Sequence, residues 1–191
     1  MALRKIASIG HPILRERAHE VSESELADSS TQALIDDMVA TMRDANGAGL
    51  AANQVHVPVR ICVIEVASNP RYSYLPAWPL TILVNPLVEP TTEETFLNFE
   101  GCLSVPNLRG QVPRFAGVRI RALDRKGAKL DFAIRGITAG TFQHELDHLD
   151  GTLFVDRVVD TRTLCTWTEF ERFHREEFVR RASDLVARFG S

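Results

Sequence analysis

Residues 140–151 read GTFQHELDHLDG, and inside them His144-Glu145-Leu146-Asp147-His148 sets two histidines four residues apart with a glutamate between them. On a helix, positions i and i+4 share one face, so both imidazoles can aim a ring nitrogen at a single ion. Glu145 lies about 100° further round, where it can reach a water at that ion without being a ligand. The stretch therefore reads as the helix of a metal-assisted hydrolase, spanning about 137–150. A polar helix face with two solvated histidines is the plainer reading of the same residues, and it is weakened by a credible helical context. Two histidines also leave a catalytic site one protein ligand short, because such sites hold three and keep one position open.

Two residues compete for the third place. Glu169, in TWTEFER, has the separation of proteases whose third ligand is a glutamate on a following helix. Cys102, in NFEGCLSVPN, offers a thiolate, which favours softer divalent metals. A lone cysteine is usually a small buried hydrophobe, and Cys62, in the apolar RICVIEV, reads that way. Cys102 differs in its setting: Gly101 permits close approach or unusual dihedrals, and Ser104 and Pro106 mark a turn-prone exit. Cys165 has no comparable surroundings.

A second unusual stretch is NGAGLAANQVHVP, residues 46–58. Its small residues let backbone approach a ligand, and Gln54 follows with a neutral amide that can donate a hydrogen bond. The plainer reading is a helix terminator and a tight loop. A phosphate loop is excluded, since neither the dinucleotide spacing nor a following lysine is present.

Outside these stretches the 191 residues are ordinary for a globular protein, at 45% hydrophobic, 25% charged and net charge −3, so nothing global points to nucleic acid or a membrane surface. No apolar run approaches the roughly 20 residues of a membrane span. MALRKIASIG lacks the apolar core of a secretory leader, so none is expected. Three scattered cysteines argue against a disulfide framework and for the reducing cytoplasm.

The element pattern predicts a short helix in GHPILRERA, opened by Pro12. It predicts an amphipathic helix in SSTQALIDDMVATMRDANG, capped by Ser29, Ser30 or Thr31, with Leu34, Met38 and Met42 along one face. VRICVIEVA, TILVNP, TEETFLNFEGCLS, GVRIRALD and KLDFAIR read as strands, the last two as a hairpin about RKG. SNPRYSYLPAWP reads as a surface loop. A charged helix is expected over about 161–189. Strands grouped between helices indicate α+β and a single domain over 1–191, with that last helix as a C-terminal extension.

Taken together and in this order, GAGLAANQ, EGCLS and QHELDH resemble peptide deformylase, and the likeness runs from GHPILR to LFVDRV, roughly residues 8–158. The resemblance implies mainly antiparallel sheets packed around a central HExxH helix. It settles the metal ligands as Cys102, His144 and His148, and it implies a substrate, the N-formyl group of formyl-methionyl nascent peptides, with formate as product. The family's usual ion is Fe2+, with Zn2+, Ni2+ or Co2+ as substitutes. Glu145 would move the proton, while Gln54 and the backbone N–H of Leu103 would hold the oxyanion. Ala48, Gly49 and Gly101 would hold peptide backbone. Arg109 is a candidate for peptide backbone or carboxylate, the alternative being a solvated surface arginine, and Glu100 and Arg114 are a candidate pair steadying the cysteine strand. The methionine pocket is expected beside the first turns of the HELDH helix. Gly140, Thr141 and Asn98 stand there in place of bulkier or more apolar residues, so the pocket is either roomier or filled by neighbours. The C-terminal segment, with Phe170, Phe173, Phe178 and Leu185 near one side, is expected to pack on the domain itself, the alternative being the ribosome near its exit tunnel.

Overall fold

The computed structural model describes residues 2–67 and 74–190. The fold is α+β, built from antiparallel sheets and five helices among the described residues. The helices are α1 (Glu23–Ala27), α2 (Ser29–Asp44), α3 (Gly136–Leu149), α4 (Trp167–Phe173) and α5 (Arg175–Phe189). The strands are β1 (Gly49–Ala51), β2 (Ile61–Val66), β3 (Trp78–Pro90), β4 (Thr95–Cys102), β5 (Val105–Phe115), β6 (Gly117–Leu123), β7 (Lys129–Arg135) and β8 (Cys165–Thr166). No described helix is long and apolar enough to cross a membrane.

Strand β2 explains the layering. Its residues alternate faces, and both faces are apolar. Ile61 and Val63 pack with Leu34, Ile35, Met38 and Met42 of α2. Cys62 and Ile64 pack with Ala139, Phe142, Leu146 and Leu149 of α3. The five-stranded sheet, in the order β1-β2-β3-β6-β7, thus lies between α2 and α3. The second sheet, β4-β5-β8, carries Cys102 at the end of β4.

Helix α2 starts one residue earlier than its serines suggested: Asp28 is the N-cap, accepting from the Ser30 N–H. Pro12 opens a single 3-10 turn, Pro12–Arg15. The loop expectation for SNPRYSYLPAWP is shortened, because Trp78 and Pro79 belong to β3, and residues 68–73 lie outside the described residues.

Strand β5 is a feature the sequence reading passed over, since VPNLRGQVPRF is interrupted by two prolines and a glycine. The strand tolerates them because β8 borders it only at Leu108 and Arg109, leaving Pro106 and Pro113 where no second ladder needs their N–H.

The expected single C-terminal helix is corrected. Residues 161–189 form a 3-10 turn (Thr161–Thr163), then β8, α4 and α5, with a break at His174. Cys165 pairs with Arg109 in the sheet rather than opening a helix, and the Thr166 side chain caps α4 by accepting from the Glu169 N–H. Phe178 and Ala182 of α5 bury against Phe99, Ile137 and Phe170, so this segment packs on the protein's own body.

Candidate metal centre

The β4–β5 hairpin turns through Leu103 and Ser104, and its register shifts between Gly101 and Cys102. A bulge at that place re-aims a side chain. Cys102 Sγ points toward α3, 3.2 Å from His148 Nε2. One ligand atom from each of Cys102, His144 and His148 lies within 4.8 Å of the other two. Glu169, the rival third ligand, sits on α4 outside this cluster.

His144 and Cys102 are held from behind. His144 Nδ1 faces Glu100 Oε2 at 2.8 Å, leaving Nε2 for the centre. Glu100 in turn accepts two bonds from the Arg114 guanidinium, at 2.7 and 2.9 Å, and Arg114 reaches Asp147 at 2.6 Å. Glu100 and Arg114 do pair, and the pair steadies the histidine as well as the cysteine strand. Burial works to raise the Glu100 pKa, but Arg114 and His144 overcome it and keep the carboxyl ionised far below the usual range. Around the sulfur, the Ser104 N–H donates at 3.3 Å, and Gln54 Nε2 lies 3.5 Å away while donating to Ser104 Oγ at 3.0 Å. Gln54 Oε1 accepts from the Ala51 N–H at 2.8 Å, which fixes the amide with its donor end toward Cys102.

Burial drives the His148 pKa well below its ordinary value, and His144 adds to this, so His148 is neutral, the form a ligand must take. Burial also opposes protonation of His144, but Cys102 and Glu100 outweigh it and raise its pKa. That carboxylate behind an imidazole is the usual arrangement for orienting a ligating ring. Burial, helped by the Glu100 charge, pushes Glu145 up to about 7 against the pull of His144 and Arg114. Glu145 Oε2 and His148 Nδ1 are buried without a hydrogen-bond partner. A thiolate, two imidazoles and an orphaned carboxylate oxygen together fit a divalent cation with space for water.

The cleft in front of this cluster is lined by residues 47–49, Gln54, Tyr74, Leu75, residues 98–103, Gly140, Thr141, His144 and Glu145. Ala48, Gly49, Gly101 and Leu103 therefore face it, as expected. Gly49 is required by space, since a Cβ there would lie 2.4 Å from the Glu145 carboxyl. Gly101 is not, for a Cβ would meet Arg109 at an ordinary 3.5 Å. At Gly140 a Cβ would come within 3.1 Å of the Asn98 amide and 3.2 Å of Phe96, so neighbours fill the room left by this glycine.

Arg109 departs from both expectations. It is 1% exposed, lies outside the cleft lining, and stacks under the Phe170 and Trp167 rings at 4.0 and 4.5 Å from their centroids. Its Nη2 donates to the Phe99 carbonyl. Sequence reasoning missed Ser104 as a partner of the sulfur, Asp147 as the second anion on Arg114, and Tyr74 and Leu75 as cleft wall. Asp147, inside HELDH, and Ser104, inside EGCLS, carried a signal; Tyr74 and Leu75 carried none.

Comparison with known proteins agrees with this arrangement. The family model described as polypeptide deformylase matches residues 3–163. Peptide deformylase 1 of Prochlorococcus marinus (strain MIT 9313) is 40% identical over 172 residues, 90% of this chain and 88% of that protein. The peptide deformylase of Leptospira biflexa is 43% identical over 163 residues, 85% of this chain and 91% of that one. Among solved structures, the class I type b peptide deformylase of Acinetobacter baumannii bound to Met-Ala-Ser superposes with a TM-score of 0.79 at 39% identity, covering 82% of this chain and 99% of the other. A peptide deformylase from Legionella pneumophila, at 34% identity and TM-score 0.73, covers 98% of this chain and 96% of its own.

Proposed function

The chain belongs to the polypeptide deformylase family, is a metal-dependent hydrolase that removes the N-formyl group from methionine, and we propose the following roles for its residues. Cys102, His144 and His148 hold one divalent cation, natively Fe2+ on the strength of the family resemblance, with Zn2+, Ni2+ or Co2+ able to replace it. A cation bound there supplies Lewis acidity, which lowers the pKa of water and polarises a carbonyl. Glu145 takes a proton from the attacking water and delivers it to the departing amine nitrogen, one carboxylate acting as base and then acid. Its buried position and elevated pKa suit that double task at neutral pH. The Gln54 amide and the Leu103 N–H receive the negative charge that develops on the formyl oxygen, donors of a kind commonly worth about 3 kcal/mol each. Gln54 is suited because its donor end is already fixed toward Cys102.

The peptide lies extended between the backbones of Ala48 and Gly49 and that of Gly101, an added strand in effect. The methionine side chain enters the cleft toward Gly140 and Thr141. Arg109, sequestered under rings, acts from behind the cleft rather than on the peptide. The natural substrates are nascent formyl-methionyl chains in the cytoplasm, processed by one catalytic domain over residues 1–191.

The observation carrying these assignments is the orphaned, buried Glu145 carboxylate beside the Cys102, His144 and His148 ligand atoms. Changing Glu145→Ala should lower formate release from formyl-Met-Ala-Ser by at least about 100-fold while the metal content stays at the wild-type level. Wild-type turnover in that variant would refute the proton-transfer role. Cleavage of casein without formate release by the unchanged protein would refute the choice of bond.

A further inference from the structure

Residues 164–190 lie beyond the stretch matched by the family model, and they form β8, α4 and α5. This segment reaches the substrate cleft from behind. Phe170 of α4 and Phe178 of α5 are fully buried in one cluster with Phe99, Ile137 and Ala182. Tyr74 and Leu75 pack against that cluster with their other sides on the cleft. The Tyr74 ring meets the Phe178 ring edge-on at a centroid distance of 5.0 Å. Phe99, also on the cleft, rests against Phe170 at 4.9 Å and Phe178 at 6.0 Å. Its carbonyl is gripped by Arg109, which is itself clamped by Trp167 and Phe170.

Tyr74 and Leu75 lie outside any strand or helix. Their place on the cleft is set in part by packing on the Phe178 cluster, to which Arg109 Nη2 adds a bond to Tyr74 Oη at 3.5 Å. The opposite wall is polar or small, with Asn98 bonded to Glu100 and Gly140 and Thr141 beside it. Apart from Ala48 and Leu103, the apolar side chains on the cleft, Tyr74, Leu75 and Phe99, are the ones that the C-terminal helices support.

We propose that the α4–α5 segment is the backing of the methionine pocket, and that Phe178 is a positioning residue for side-chain selectivity through Tyr74 and Leu75. This rests on the assignment of the cleft to the formyl-methionyl substrate. It leaves the metal centre untouched, because none of the three ligands belongs to the Phe178 cluster.

The test is steady-state kinetics on the full-length, metal-loaded chain with formyl-Met-Ala-Ser and formyl-Ala-Ala-Ser, together with calorimetric binding of Met-Ala-Ser. In Phe178→Ala, KM for the methionyl substrate should rise and Met-Ala-Ser binding should weaken, each about tenfold, the scale of a lost apolar pocket contact. The preference for methionine over alanine in kcat/KM should fall by about the same factor, with kcat within about twofold and metal content unchanged. Phe178→Leu should restore most of the selectivity. Tyr74→Ala, which removes the wall itself, should reproduce the Phe178→Ala pattern while leaving the Phe99, Phe170 and Phe178 side chains in place. The proposal is overturned if Phe178→Ala lowers Tm but leaves KM and selectivity alone, or if kcat falls together with bound metal. Should Phe178→Ala fail to fold, an unchanged KM in Tyr74→Ala overturns it by itself. Absence of formate release from the wild type would instead sink the deformylase reading, and peptide binding would still report on the wall.

Discussion

Arg109 and Arg114 stand on the same strand, equally hidden at 1% and 3% exposure, and are neutralised by opposite means. Arg114 is answered by carboxylates, Glu100 on one side and Asp147 on the other. Arg109 is answered by two aromatic faces, the Phe99 carbonyl and the Tyr74 hydroxyl, with its Nε and Nη1 making no hydrogen bond. A guanidinium suits both settings because it is planar, weakly hydrated and always charged. The first cation organises the metal site, since Glu100 positions His144. The second fastens α4 to β5 behind the substrate cleft. Charge pairing is therefore spent on chemistry and ring stacking on architecture.

Removing each arginine should separate the two roles. Arg114→Met leaves Glu100 buried without its cation and Asp147 with Arg157 alone, and breaking such a buried pair costs about 3–5 kcal/mol. Urea unfolding of metal-free protein should find that loss, and dialysis should find weakened metal retention. The loss should depend on pH in a definite sense. The Glu100 pKa is depressed in the folded state, so its contribution is complete above the unfolded value of about 4.3 and disappears as pH falls through the folded one. Wild type and variant should converge in acid, and a gap independent of pH would contradict the carboxylate account.

Arg109→Met should cost less, about 0.5–2 kcal/mol, because stacked rings leave no orphaned anion behind. Metal content should be unchanged, and the effect should appear in KM. If this variant lost metal as readily as Arg114→Met, the contrast between the two arginines would fail. Arg157→Ala should be the mildest, since this half-exposed side chain only adds a further cation to Asp147, and exposed pairs are worth about 0–1 kcal/mol. A larger loss would mean that Arg114 alone does not anchor Asp147.

The contrast also marks how far the sequence could be read. HELDH carried two ligands and Glu145 because metal chemistry demands particular residue types at particular spacings. The third ligand, Cys102, was singled out over Glu169 only by the resemblance of HELDH, EGCLS and GAGLAANQ together to the deformylase family. Strand β2 was visible as a continuous β-branched apolar run, and β6 and β7 as runs flanking the turn residues RKG. Strand β5 was hidden because Pro106, Gly110 and Pro113 are tolerated only where a second ladder is missing, which no local pattern reports. The C-terminal break was hidden for a related reason: Cys165 joins the sheet through pairing with Arg109, a contact between residues distant in sequence. Arg109 looked available for peptide because nothing beside it in sequence announces Trp167 and Phe170. Residues inside the three motifs were legible, whereas residues placed by long-range packing were not.

The central claim is that Cys102, His144 and His148 together make a one-metal site on which deformylation depends. It is tested most directly by titrating Fe2+ without oxygen into metal-stripped protein while recording formate from formyl-Met-Ala-Ser. The account predicts that formate release is negligible at the start, saturates at one ion per chain, and never saturates in Cys102→Ser, whose hydroxyl is a poor ligand. Full activity in the stripped protein, or the same one-equivalent saturation in Cys102→Ser, would contradict it.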